Sequence, residues 1–396
     1  MKKVKLSELG EIVGGSTPST KDSQNYDGNI SWITPKDLAN YNKIYIKSGE
    51  RSITEKGFNS CSTKMLPRNS ILFTSRAPIG YIAIASNELC TNQGFKSIIP
   101  NNKINYLFLY YLLKYNKDYI ASFGSGTTFK EVSGTVMKNI EVSIPDTIEE
   151  QRKIANILYT IDQKIELNNQ INDNLHKLIK NIYSDTFINN KNTHWEKERL
   201  GNYLTVERGL SYKGKYLAES GTPMINLGNV MPDGVFRLEK NKYYTGEYKE
   251  KVTANVGDIV VANTDMTQNR EVIGTPVIIP SLYEGKVIFS HHIYGLKNLK
   301  LPKMYVFYSL LTDEWNGIAG GSATGTTVLA LPKDAIEEYL IYIPDNATLD
   351  KFETLAENIQ KKREQILLEN IKLEQLRDTL LPKLMNGEID LDKIEI

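Results

Sequence analysis

Hydrophobic positions along the chain follow two periodicities, and the helical one organises the rest. Through residues 148–187 apolar side chains recur at helical spacing. Written as a heptad, Ile154, Ile161, Asn168, Leu175 and Ile182 take position a, and Ile157, Lys164, Ile171 and Leu178 take position d. A narrow apolar seam with polar interruptions predicts a long helix that pairs with one other helix. The matching pattern lies 198 residues further on, with Phe352, Ile359, Ile366, Leu373 and Leu380 at a, and Leu355, Lys362, Glu369 and Leu376 at d. At 1.5 Å per residue each helix reaches roughly 50–60 Å, the length of a spacer.

Short alternating runs fill the remaining chain, and they occur twice. Leu9-Gly10 opens one set and Leu200-Gly201 the other. The runs 69–75, 79–85 and 93–99 have counterparts at 257–263, 273–279 and 292–299. An aromatic helix follows at 106–114 and again at 304–312, and each set closes on a β-like run ending at Pro145 or Pro344. From Gly126 to Pro145 and from Gly325 to Pro344 the spacing is the same, 19 residues. Such a repeat is read before any single motif. The pattern predicts an α+β fold: two similar mixed α/β globular domains separated by two long antiparallel coiled-coil helices, with a pseudo-twofold internal repeat. The expected boundaries are 1–146, 147–190, 191–345 and 346–396. The segments 16–68 and 210–256 share no alignable pattern, which suggests one task performed on two different targets.

Charge sharpens this picture slightly. The 48 basic and 47 acidic residues nearly cancel, but residues 1–145 hold 18 Lys and Arg against 11 Asp and Glu. The helical segments are acidic, with 7 basic against 9 acidic residues over 146–198 and 8 against 12 over 345–396. A basic first domain suits a polyanion. Two cysteines give no disulfide framework, and the basic N-terminus lacks the apolar stretch of a signal peptide. With no run long enough for a membrane span, a cytoplasmic location is expected and no membrane partner.

No catalytic constellation stands out. The histidines at 176, 194, 291 and 292 match no metal-ligand spacing. On an alternating strand His291 and His292 point to opposite faces, a poor metal clamp. The stretch 209–216 nearly spells a phosphate-binding loop, but Tyr216 stands where a hydroxyl residue should hold magnesium. The glycine-rich corner at 123–126 follows a helix rather than a strand, and no Asn-Pro-Pro-aromatic sequence of an amino-methyltransferase occurs.

Several of these features together resemble the specificity subunits of type I restriction–modification systems. The resemblance rests on the Leu-Gly openings, the glycine/threonine loops at 124–128 and 321–327, and the run of Pro145, Glu150, Gln151, Ile154, Leu158 and Asp162 at the start of the first long helix. The ending at 376–391 resembles that family's C-terminal block, so the likeness covers essentially the whole chain. The second long helix lacks the Glu-Gln pair, and partner contact at that end is expected to differ.

The resemblance implies two target recognition domains, each reading one half of a split sequence in double-stranded DNA. Two methyltransferase subunits would dock on the helices, through Glu150, Gln151, Ile154, Leu158 and Asp162, and restriction/translocase subunits would join them. S-adenosylmethionine would enter with the methyltransferase, no cofactor being bound by this chain. Loop side chains able to hold phosphates or read base edges are Thr74, Ser75, Arg76, Asn92, Gln93 and Lys130 in the first domain. In the second they are Asn263, Thr264, Gln268, Asn269, Arg270 and His291. A competing reading is a coiled-coil scaffold that joins protein partners without reading DNA.

Overall fold

A computed structural model describes residues 1–76, 78–126, 130–266, 269–326 and 328–391. The chain divides into two compact units, Met1–Asn168 with Asn370–Ile396, and Asn169–Glu369. Each unit therefore takes part of both long helices, Ile148–Ser184 and Asn346–Met385.

In the first unit the central sheet runs Gly10–Gly14, Lys96–Pro100, Ile71–Ser75, Ile79–Ala85 and Tyr45–Ile46 in spatial order. The strand Ile71–Ser75 is buried throughout, as its uninterrupted apolar start requires for a strand covered on both faces. The apolar helix Tyr106–Tyr115 is buried from Leu107 to Leu113. A second, three-stranded sheet includes a parallel pairing of Trp32 with Cys90 and Ile33 with Thr91. Lys2–Lys5 pairs with Glu141–Ile144, bringing the start of the domain against its end. Leu381, Leu384 and Met385 join this unit's core beside Ile154, Ala155 and Leu158, so the C-terminal segment completes the first unit.

The second unit repeats the plan. Thr205–Arg208, Ile293–Lys297, Ile259–Ala262 and Pro276–Ile278 reproduce the order of the first four strands above. Lys197–Arg199 pairs with Leu340–Tyr342 as Lys2–Lys5 does with Glu141–Ile144. Even the segments without alignable sequence share a device: Met224 and Ile225 pair in parallel with Ile288 and Phe289. The core gathers Tyr183, Phe187, Tyr305, Tyr308, Trp315 and Phe352.

Within each unit the two helices run antiparallel, and their buried seam differs from the predicted one. In the first helix Ile154, Ile161 and Asn168 are buried as expected at a, but their companions are Leu158 and Ile165, with Ile179 further on. The predicted d residues Ile171 and Leu178 are exposed, as are Leu355 and Leu376 of the second helix. The seam is thus rotated by one residue at d, to 158, 165, 172 and 179 and, with the 198-residue offset kept, to 356, 363, 370 and 377. This seam carries polar groups that hydrophobicity alone disfavours. Asn168 donates to Asn370 at 2.8 Å, Asn172 donates to the Arg363 carbonyl at 3.3 Å, and Arg377 donates to Asp162 at 2.7 Å.

A candidate nucleic-acid interface at the strand ends

Register places the candidate loop residues of each unit at one end of its central sheet. In the first unit Gly14 pairs with Lys96 and Thr74 bridges Phe95, so residues 14–17, 74–76 and 92–96 converge. In the second unit Arg208 pairs with Tyr294 and Ala262 with Ile293, so residues 208–212, 262–265 and 290–294 converge. Glycine is required at the same place in both. A Cβ on Gly15 would lie 2.2 Å from the Thr91 and Asn92 carbonyl oxygens, and one on Gly209 would lie 2.2 Å from that of Ser290.

Matching backbone bonds put the two ends in position-by-position correspondence. Ser75 N donates to the Gly94 carbonyl and Asn263 N to the His292 carbonyl. Val132 N donates to the Ser75 carbonyl and Leu331 N to the Asn263 carbonyl. Gln93 and His291 therefore occupy equivalent positions, one turn residue chosen differently in each unit.

The named side chains divide into two groups. Thr74, Ser75, Asn263 and Thr264 are buried rather than exposed loop readers. Thr74 donates to the Pro78 carbonyl at 2.7 Å and accepts from Tyr81 N at 2.8 Å, and Ser75 donates to the Gly94 carbonyl. Asn263 donates to the His291 carbonyl at 3.0 Å, and Thr264 bonds His292 Nδ1 at 2.9 Å. The strands continue past the apolar run, and these polar side chains tie the loops together from inside. Gln93, Lys130, Asn269 and Arg270 are exposed, with Arg76, Asn92 and His291 partly so. Gln93 accepts from Thr17, Asn92 caps Gly94 N at 2.9 Å, Asn269 donates to Glu271 at 3.3 Å, and Arg270 reaches the Gly320 carbonyl at 2.6 Å. Gln268 lies outside the described residues, as do Thr127, Thr128 and Thr327 of the glycine/threonine loops.

Sequence reasoning named His291 but missed Tyr212 and Lys242 beside it, and Lys96 and Glu131 in the first unit. His291 and His292 sit in a turn with ring centroids 3.8 Å apart, not on opposite strand faces. Tyr212 lies 5.9 Å from the His291 ring, and Lys242 reaches the Tyr212 hydroxyl at 3.5 Å. Burial lowers the pKa of both histidines; Arg208 adds to this at His291, and the neighbouring His291, Arg208 and Lys242 add to it at His292. In the first unit Lys96 and Glu131 join the set: Glu131 accepts from Arg76 at 3.4 Å and from Lys96 at 3.3 Å. Only the fold brings residues 131 and 76 together. Among the described residues no group of three or more His, Cys, Asp or Glu side chains is placed to hold a metal ion.

Four of the five helix-start residues expected to meet a partner face inward instead. Ile154 and Leu158 are core residues of the first unit, and Gln151 is buried, accepting from Asn105 N at 2.9 Å. That bond docks the helix on the aromatic helix Tyr106–Tyr115. Asp162 accepts from Arg377 at 2.7 Å and from the Tyr111 hydroxyl at 2.8 Å. Glu150 is exposed and closes a capping box with Thr147. In the second unit, which lacks the Glu-Gln pair, Glu353 takes over: its carboxylate accepts from Met304 N at 3.0 Å and Tyr305 N at 3.3 Å. Burial raises the Glu353 pKa even as these bonds oppose the rise.

Two α+β units with one order of central strands, each ending in a differently furnished set of polar loops, define a two-domain recognition protein. A family profile described as the type I restriction modification DNA specificity domain matches residues 1–177. The type I restriction enzyme MjaIX specificity subunit of Methanocaldococcus jannaschii is 35% identical over 417 aligned residues, covering 98% of this chain and 94% of that one. The EcoR124I/EcoR124II specificity subunit of Escherichia coli is 29% identical over 182 residues, 44% of this chain and 43% of that one. The crystal structure of a type I S subunit from M. genitalium matches with a TM-score of 0.58 at 16% identity, over 97% of this chain and 95% of that one, and shares its fold. The chain belongs to the type I restriction enzyme specificity subunits. No described helix is long and apolar enough to cross a membrane.

Proposed function

We propose that this chain is the non-catalytic DNA-recognition subunit of a cytoplasmic type I restriction–modification complex. Each unit reads one half of a bipartite target in double-stranded DNA through its strand-end loops. The observation that carries this reading is the pair of equivalent loop sets, alike in backbone and different in side chains. Equivalent backbones give both units the same mode of approach, and different side chains give them different half-sites.

Two methyltransferase subunits dock on the helices and bring S-adenosylmethionine, and restriction/translocase subunits complete the assembly. The docking faces are the outward d positions rather than the buried seam. Leu178 and Leu376 are 46% and 47% exposed, and they occupy equivalent heptad positions. Ile171 and Leu178, one heptad apart on the first helix, are both exposed, and exposed apolar side chains repeated at helical spacing mark a surface that a partner covers. The test is co-purification with the methyltransferase of the same system. Leu178→Glu and Leu376→Glu should abolish it while circular dichroism stays unchanged. Retained complex with both substitutions would place the docking face elsewhere. A stable complex that binds all duplexes equally would favour a scaffold instead.

A further inference from the structure

The two strand ends differ electrostatically at one set of equivalent positions. In the first unit Glu131 bridges the backbone of Arg76 and of Ser125. In the second unit Ala330 bridges Thr264 and Thr324 in the same pattern. Lys96, paired with Gly14, corresponds to Tyr294, paired with Arg208. The charged trio Arg76, Glu131 and Lys96 thus stands where the second unit has Thr264, Ala330 and Tyr294. Tyr294 spends its hydroxyl on the Leu331 carbonyl at 2.9 Å, a neutral substitute for the lysine's ion pair.

We propose that Glu131 is a specificity-determining positioning residue of the first unit, holding Arg76 and Lys96 against indiscriminate contact with phosphate. This rests on the DNA-recognition reading above. Three observations converge on it. The carboxylate is shared, one oxygen to each cation, at 3.4 and 3.3 Å. Arg76 and Glu131 are 34% and 35% exposed at the side chain, so the pair lies within reach of a polyanion. The backbone bridges fix Glu131 in place without its side chain, so the carboxylate is free to serve another end.

The physical consequence concerns selectivity. A phosphate approaching Arg76 or Lys96 also comes close to the Glu131 carboxylate that both cations share, and like charges repel. A duplex held only through its phosphates must replace the carboxylate as partner of these cations. One that presents the correct base edge to Arg76 leaves the carboxylate in place, so the carboxylate weakens wrong complexes more than right ones. An arginine held by a carboxylate also presents its remaining N–H groups in a fixed plane, as bidentate base recognition requires.

The test is Glu131→Gln in the full chain assembled with its methyltransferase. Affinity is measured over a salt series for a random 30-bp duplex and for one carrying the motif that methylation mapping returns. Glu131→Gln should tighten random-duplex binding about three- to tenfold and the cognate duplex less, lowering the specificity ratio. The dependence of log K on log salt should steepen by about 1 to 2, as freed cations displace counterions. Arg76→Ala added to Glu131→Gln should reverse about half of that steepening. A shift in melting temperature with unchanged slope and ratio would make Glu131 merely structural and overturn the proposal. A wild-type complex with no preference between the two duplexes would instead overturn the recognition reading itself.

Discussion

The Asp162–Arg377 pair gives the sharpest test of how the first unit is closed by its C-terminal segment. The Asp162 side chain is 9% exposed and Arg377 18%, with 2.7 Å between Oδ1 and Nη1. Burial disfavours the guanidinium charge, but hydrogen bonds to Asp378 and Asp162 outweigh it and hold the Arg377 pKa above its ordinary value. Arg377→Met removes the cation and leaves a buried carboxylate with the Tyr111 hydroxyl at 2.8 Å and Lys114 Nζ at 3.8 Å. Breaking a buried pair from one side costs roughly 3–5 kcal/mol, and the remaining lysine puts this case at about 3 kcal/mol. Asp162→Asn alone should cost about 1–2 kcal/mol, because Arg377 keeps Asp378 at 2.9 Å. The double variant should cost only about 2 kcal/mol, since no buried carboxylate is left stranded, giving a coupling of roughly 2–3 kcal/mol. Native-state amide exchange read by mass spectrometry on peptides from 148–168 and 370–385 reports this locally, without assuming that a two-unit chain unfolds in one step. Additive losses within about 0.5 kcal/mol would refute the claim that the pair acts as a buried unit.

Other predictions address the second unit and the loops. Burial, reinforced by Arg363 and Lys180, pushes the His176 pKa down to about 4. The unfolded chain protonates near 6.5, so this histidine's contribution is fully present above that pH and is lost as pH falls towards 4. The loss should be about 3 kcal/mol. His176→Phe should flatten the stability profile between those values, and an unchanged slope would show that another group sets it. Leu158→Ala, at a fully buried site, should destabilise the first unit by about 3 kcal/mol in urea unfolding, and a loss under 1 kcal/mol would mean the helix is not held by that core. Gly15→Ala should abolish selection at one half-site and Gly209→Ala at the other, since the added methyl meets backbone oxygen in both. Methylation patterns unaffected by either would separate these turns from recognition.

Much of this was legible in the sequence, for physical reasons that also explain the failures. The internal repeat could be read because buried strands such as 71–75 and 259–262 are restricted to apolar residues in both units. Position a of the long helices was legible for the same reason. Position d was not, because the true seam half-buries Asn172, Arg363 and Arg377 while leaving Ile171, Leu178 and Leu376 exposed. Hydrophobicity alone selects the wrong face when polar pairs lie inside and leucines outside. Gln93 and His291, named separately in the two units, proved to hold equivalent positions. The burial of Thr74 and Asn263 followed from bonds to carbonyls of distant segments, and the link between Arg76 and Glu131 from a bridge across 55 residues. Neither leaves a local signature.

The central claim is that the two units read separate half-sites. Its most direct test is methylation mapping: co-express the chain with the methyltransferase of its own system in a methylation-free host, and sequence the DNA by a method that reports methyladenine. The account predicts a split, asymmetric motif, one half of which changes when residues 199–344 are exchanged for those of another specificity subunit while the other half stays fixed. A stable, methylation-competent complex with no motif, or an exchange that alters both halves together, would contradict it.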